Sequence, residues 1–233
     1  MTHARPLAAE GIGTAFLVAG VVGSGIMAER LSDDIGLQLL ENAFATAGVL
    51  LALILALGPV SGAHFNPVVT LATVIHGDIA GRIAAGYVVV QVIGGVIGAV
   101  AANLMFDLPA VEVATKERSG FDLMFAEGVA TAGLLIVIFG VVAAGRPTLA
   151  ALTVAGYIGG AYWFTSSTSF ANPAVTIGRM WSDTFAGIRP FDGVGFIVAQ
   201  LVVGVGAAYL VRWLFAEVSA LRDLGAEAPE LGA

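Results

Sequence analysis

The chain has 233 residues, of which 58% are hydrophobic and only 12% charged, with a formal net charge of −7. A soluble domain carries about 25% charged residues, and a globule of this size cannot hide so much apolar surface behind so thin a polar shell. The composition excludes a disordered chain, a nucleic-acid binder and an ordinary soluble enzyme, and predicts an all-α integral membrane protein with no room for a second, soluble domain.

The apolar stretches in chain order are 11–28, 42–65, 83–106, 123–145, 148–171 and 193–211. Each is near the roughly 20 residues that a membrane helix needs. The first follows Arg5 as a signal peptide would, but its length and the spans behind it predict a retained helix. Six spans place both ends of the chain on one side. Orientation is not signalled by charge: Arg5, Arg82, Arg146, Arg212 and Arg222 fall on one side, and Arg30, Lys116, Arg118, Arg179 and Arg189 on the other. The tail from Ser219 is short and predicted to be disordered.

Two segments are too interrupted to span. Residues 61–76 and 169–181 each run from a turn-prone stretch through Asn-Pro into about ten mostly apolar residues. Asn caps a helix and Pro suits its first position. Ten residues rise about 15 Å, about half a bilayer core. These segments read as half-helices entering from opposite sides.

The chain also repeats itself. Glu10-x-x-x-Thr14 recurs as Glu127-x-x-x-Thr131, and Asn66-Pro67-Val68-Val69-Thr70 recurs as Asn172-Pro173-Ala174-Val175-Thr176. Repeat 1 covers about residues 7–106 and repeat 2 about 121–216, within one domain over 1–233. Three spans per half make the second half inverted. Paired broken helices in matching places point to a conduction or binding site at the membrane midplane. Each helix N-terminus carries about half a positive charge and unpaired N–H donors. Two such ends meeting repel cations, while a neutral hydroxylated molecule accepts hydrogen bonds from the Asn amides and passes.

A single Asn-Pro start is only a helix cap; two at related positions in apolar surroundings favour function. Glu10 and Glu127 are either working carboxylates or, as their symmetry favours, acceptors holding the adjacent loops. His64 reads as a loop anchor. With no cysteine and three scattered histidines, no metal site, cofactor or catalytic residue is expected. The hydroxyl run 165–169 is a candidate pore lining. Arg179, one turn beyond Val175, either charges the outer vestibule or snorkels to the headgroups.

The stretch Ser61-Gly62-Ala63-His64-x-Asn66-Pro67-x-Val69-Thr70, with Asn172-Pro173-Ala174 and the doubled Glu-x-x-x-Thr, resembles the aquaporin (major intrinsic protein) family. The resemblance covers about the whole chain. It implies a right-handed bundle of six tilted helices plus two re-entrant half-helices, one pore per subunit, a homotetramer, and a multi-pass location in the inner membrane with cytoplasmic termini. Two positions depart from the family pattern. Val68 stands where most members have Ala, which predicts that the half-helices sit slightly apart. Val175 stands where most have the filter Arg.

Carried over by spacing from the Asn-Pro motifs, the remaining filter positions fall on Thr46, Gly160 and Ser169, with Gly159 or Ala161 as the alternative at the second. That set with Val175 has no ring and no charge. It predicts a wide, hydroxyl-lined constriction with anions less favoured at its mouth. Residues 164–176 resemble a bacterial branch that lacks the filter Arg and is linked to arsenic resistance. The resemblance thus implies a passive channel for neutral metalloid acids such as arsenite, glycerol-like polyols and water. An ion-coupled transporter uses similar broken helices, and a mainly water-conducting channel is a further alternative. No nucleophile–base pair supports a membrane enzyme. A closed junction protein remains a fourth possibility.

Overall fold

The computed structural model describes residues 3–218, so the tail from Ser219 lies outside the described residues. The helices are α1 (Ala4–Leu31), α2 (Ile35–Ser61), α3 (Pro67–His76), α4 (Gly81–Met105), α5 (Phe121–Ala143), α6 (Ala150–Phe164), α7 (Pro173–Arg179) and α8 (Pro190–Leu214). Among the described residues there is no strand.

Local chemistry sets the helix ends. The Asp34 side chain accepts from Leu37 N at 3.0 Å and starts α2, seven residues ahead of the expected start at Asn42. Asn42 instead lies inside the helix as a clasp on α1. Its Nδ2 donates to Val21 O at 2.8 Å and Ser24 Oγ at 2.9 Å. Such hydrogen bonds between helices bind segments that lipid would otherwise leave indifferent. Helices α2 and α3 stop at Gly62 and Gly77, whose φ angles of 87° and 88° lie in the left-handed region glycine tolerates best.

The fifth expected span, 148–171, is shorter than the sequence suggests. Helix α6 ends at Phe164 after 15 residues, a rise of about 22 Å. Beyond it Thr168, Ser169 and Ala171 take φ of 63°, 51° and 47°, which no helix accommodates. A 3₁₀ turn over Pro147–Leu149 extends α6 at its start. Helices α1, α2, α4, α5 and α8 are each long and apolar enough to cross a membrane by themselves.

The halves pack in the same order. Helix α1 lies on α2 and α4, as α5 lies on α6 and α8, and α2 meets α6. The half-helices cross over: α3 packs on α8 and α7 on α4. In lipid, helices associate through close van der Waals fit, so small residues line the tightest seams. A Cβ on Gly94 or Gly98 of α4 would stand 2.2 Å from the carbonyl oxygen of Gly11 or Ala15 on α1. Large apolar side chains such as Phe44 and Trp213 point outward, where hydrocarbon is their solvent.

Candidate functional site

Both half-helices are capped by the asparagine that precedes them. Asn66 Oδ1 accepts from Val68 N at 2.9 Å, and Asn172 Oδ1 from Ala174 N at 2.9 Å and Val175 N at 3.2 Å. The other side of each amide reaches across. Asn66 Nδ2 donates to Ala171 O and Asn172 Nδ2 to Phe65 O, both at 2.8 Å. The two N-termini therefore meet, tied through the residue before the opposite asparagine. The connecting loops share an unusual backbone. Ala63 and Phe65 have φ of 51° and 49°, and their repeat partners Ser169 and Ala171 have 51° and 47°. A left-handed non-glycine residue costs about 1–2 kcal/mol, so something must hold these loops in place.

Glu10 and Glu127 hold them. Both are fully buried. Glu10 accepts from Ser61 Oγ at 2.6 Å, His64 N at 3.0 Å, Phe65 N at 2.7 Å and Gln91 Nε2 at 2.8 Å. Glu127 accepts from Phe170 N and Ala171 N at 2.8 Å and from Gln200 Nε2 at 2.6 Å. A carboxylate accepting several N–H bonds is compensated in an apolar setting. Gln91 and Gln200 also bond Thr70 and Thr176 of the half-helices at 3.0 and 3.1 Å. Sequence reasoning missed these two glutamines. Their signal was a single glutamine inside the third span of each half. His64 bonds Thr70 Oγ1 at 3.1 Å and meets the Tyr87 ring edge-on. Among the described residues no group of His, Cys, Asp and Glu could hold a metal ion.

A cavity of about 590 Å³ runs past these loops, with Thr46, Asn66, Ser169, Asn172 and Val175 in its wall. Pro67, Pro173 and Ala174 are buried behind it. Gly160 is not in the wall. On α6 the cavity is lined by Ala150, Ala151, Val154, Ile158 and Tyr162, a face that recurs every three or four residues. Gly160 is two residues from both Ile158 and Tyr162, about 200° around the helix at 3.6 residues per turn, and so faces outward. The alternatives fail too: a Cβ on Gly159 would meet Ala47 of α2 at 3.3 Å, and Ala161 is buried outside the wall.

The expected ringless, chargeless wall is therefore corrected. Tyr162 lines the cavity and its hydroxyl lies 3.0 Å from Thr46 Oγ1. Arg179 lines it as well. It does not snorkel: it is 2% exposed, its guanidinium lies 3.4 Å from the centroid of the Phe170 ring, and its Nε donates to Ala186 O. Val68 packs toward α8. It is buried away from the cavity, with Cγ1 2.5 Å from where a Cβ on Gly204 would stand. Its methyls fill the space left by a glycine on α8.

Residues 1–163 match the family described as Major intrinsic protein. The chain is 48% identical over 210 residues to aquaglyceroporin AqpS of Rhizobium meliloti, covering 90% of each chain. It is 30% identical over 246 residues to a probable aquaporin, AqpM, of Archaeoglobus fulgidus, covering 93% of this chain and 99% of that one. Its fold is like the X-ray structure of the aquaglyceroporin from Plasmodium falciparum, with a TM-score of 0.67 at 22% identity over 96% of this chain and all of that one. With its crossed half-helices and a relative at 48% identity over 90% of its length, the chain belongs to the major intrinsic protein family, whose members are membrane channels and not enzymes.

Proposed function

We propose that this protein is a passive channel for small neutral solutes, conducting metalloid acids such as arsenite and glycerol-like polyols together with water. The observation that carries this reading is Val175 in the cavity wall beside Asn66 and Asn172. An aliphatic side chain there leaves room for a solute larger than water, and the asparagine amides offer it hydrogen bonds. Thr46, Ser169 and Val175 act as the selectivity filter, with Tyr162 in the place first given to Gly160. Hydroxyls of Thr46, Tyr162 and Ser169 suit a tri-hydroxyl solute that gives and takes hydrogen bonds. Arsenous acid, neutral at physiological pH, is of that size and kind.

In this reading the channel works as a homotetramer with one pore per subunit, in the inner membrane, with cytoplasmic termini and lipid around the apolar outer faces. Transport needs no coupling ion. Both deep carboxylates, Glu10 and Glu127, are committed to loop N–H groups, which argues against a proton-coupled cycle. A mainly water-conducting channel is the second reading, favoured by the Tyr162 ring and the Thr46 hydroxyl meeting across the cavity wall.

The test is arsenite influx into proteoliposomes of the purified protein, compared with empty liposomes, without an ion gradient. Fast, non-saturating influx is expected. Influx no faster than in empty liposomes, with water flux intact, would leave the second reading in place and remove the metalloid assignment.

A further inference from the structure

Three cations cluster on one short stretch of backbone, and one of them, Arg179, lines the cavity. Arg179 closes α7, and Lys116 and Arg118 lie on the segment between α4 and α5. All three donate to that stretch of backbone. Lys116 Nζ donates to Phe185 O at 2.7 Å, Arg118 Nη2 to Phe185 O at 3.1 Å and Arg118 Nε to Gly187 O at 2.9 Å, while Arg179 Nε donates to Ala186 O. Three successive carbonyls thus serve three positive charges.

No carboxylate makes a direct ion pair with them. The ion pairs among the described residues both belong to Arg189, with Glu117 and Asp192. The carboxylates nearby make their hydrogen bonds to other groups and reach the three cations only through their field. Asp183 accepts from Thr115, Glu29 from Phe185 N, Asp192 from Arg118 N, and Glu127 from the loop before Asn172. Carbonyl dipoles orient a guanidinium, but they do not cancel its charge. The Phe170 ring, with the Arg179 and Arg118 guanidinium carbons 3.4 and 5.2 Å from its centroid, supplies only a weak negative face.

Arg179 also keeps hydrogen-bonding capacity. Its hydrogen bond runs from Nε alone, and the side chain lines the cavity. The two terminal amino groups are a fork whose geometry matches a planar oxyanion. In the same wall Ser169, 3% exposed, has a buried Oγ with no hydrogen-bond partner. A buried hydroxyl without a partner is uncommon and signals something that completes it.

We propose that this end of the cavity is a binding site for a small monovalent oxyanion of the nitrate or formate class, held by the terminal amino groups of Arg179 and the hydroxyl of Ser169. Lys116 and Arg118 contribute field rather than contact. The bound anion gives Arg179 a direct anionic partner, which none of the surrounding carboxylates is. The site rests on the channel reading only in that its occupant stands in the solute's path. It reverses the expectation, made from Val175 alone, that anions are disfavoured at the mouth.

Two measurements test it with nitrate as the probe. In proteoliposomes, isosmotic nitrate in place of gluconate slows wild-type water flux saturably, because the anion occupies the path. In detergent, nitrate shifts the resonance of Lys116, the chain's single lysine, labelled by reductive ¹³C-methylation. This second readout needs no conduction, so it separates failure of the site from failure of the channel reading. Arg179→Gln raises the half-saturating nitrate concentration by about tenfold or more, the scale of a hydrogen-bonded charge partner lost. Arg179→Lys, which keeps the charge without the fork, gives a smaller rise and controls for folding. A wild-type Lys116 resonance that nitrate does not move overturns the site. So does a shift that persists unchanged in Arg179→Gln.

Discussion

Val68 of α3 places its Cγ1 2.5 Å from where a Cβ on Gly204 of α8 would stand, so the half-helix is seated by a missing side chain. Gly204→Ala forces these atoms apart. Overpacking of this kind costs about 1–3 kcal/mol. Val68→Ala removes the obstructing methyls, and the double variant recovers most of the loss. Thermal unfolding of the detergent-solubilised protein measures both. Gly95, the equivalent position on α4, faces the backbone oxygen of Ala174 at 2.6 Å, so no side-chain truncation on α7 rescues Gly95→Ala. Rescue at both positions, or at neither, contradicts the assignment of Val68 to the seam.

Glu127 is the acceptor that keeps the second loop in its left-handed turn. Glu127→Gln replaces an oxygen by an NH₂ group facing the Phe170 and Ala171 amides or the Gln200 amide. One buried donor is then opposed by another, at a cost of about 3 kcal/mol. Glu10→Gln acts likewise on the first loop. The expected result is a lower unfolding temperature with solute and water flux falling together. Unchanged stability with lost proton-dependent transport would instead mark a working carboxylate.

How much of this was legible in the chain depends on the kind of signal. The asparagine caps, the crossing half-helices and the paired glutamates stood out because a polar residue in an apolar run has few innocent explanations, and each appears twice. The cavity wall was less legible. Gly160 was placed by counting from Asn172, but the irregular backbone between Phe164 and Pro173 breaks the register that counting assumes. The α6 face is set by contact with α2, which linear spacing does not encode. Arg179 was one of two open readings, because what decides it, the carbonyl of Ala186 and the ring of Phe170, comes from another loop and from the far side of the motif. The compensation of Val68 by Gly204 required knowing that α3 packs on the opposite half.

Val175→Arg tests the filter reading directly. A guanidinium in the wall narrows it and adds a second fixed charge near Arg179. Flux of polyols and arsenite falls more than that of water, by about tenfold against twofold or less, since one pore-lining side chain sets size exclusion. The check is parallel stopped-flow measurement of all three solutes. Equal loss of every flux would refute the reading.

Tyr162 and Thr46 share a hydrogen bond of 3.0 Å in the wall. Tyr162→Phe leaves the ring and frees the Thr46 hydroxyl for the permeant. A neutral hydrogen bond is worth about 1 kcal/mol, so stability changes little while the ratio of polyol to water flux shifts by about two- to fivefold. Tyr162→Ala opens the wall and raises polyol flux further. If neither variant alters the ratio, Tyr162 is packing and not filter.

Lys116 offers a pH-dependent check on the cation cluster. Burial above all, then the charges of Arg118 and Arg179, brings its ammonium from 10.5 down to about 8, against smaller opposing pulls from Glu29 and Asp183. The folded state thus holds its proton less tightly than the unfolded chain. Between about pH 8 and 10.5 the unfolded state binds more protons, so stability rises with pH through that window and this contribution is absent below it. The methylated Lys116 resonance should titrate near pH 8 in the wild type. Removing a positive neighbour relaxes the repulsion, so Arg118→Gln moves that midpoint upward, and Arg179→Gln does so by less, in the order of their influence. Titration at the ordinary lysine value in the folded wild type would show that the three side chains do not form the cluster drawn from their shared carbonyls.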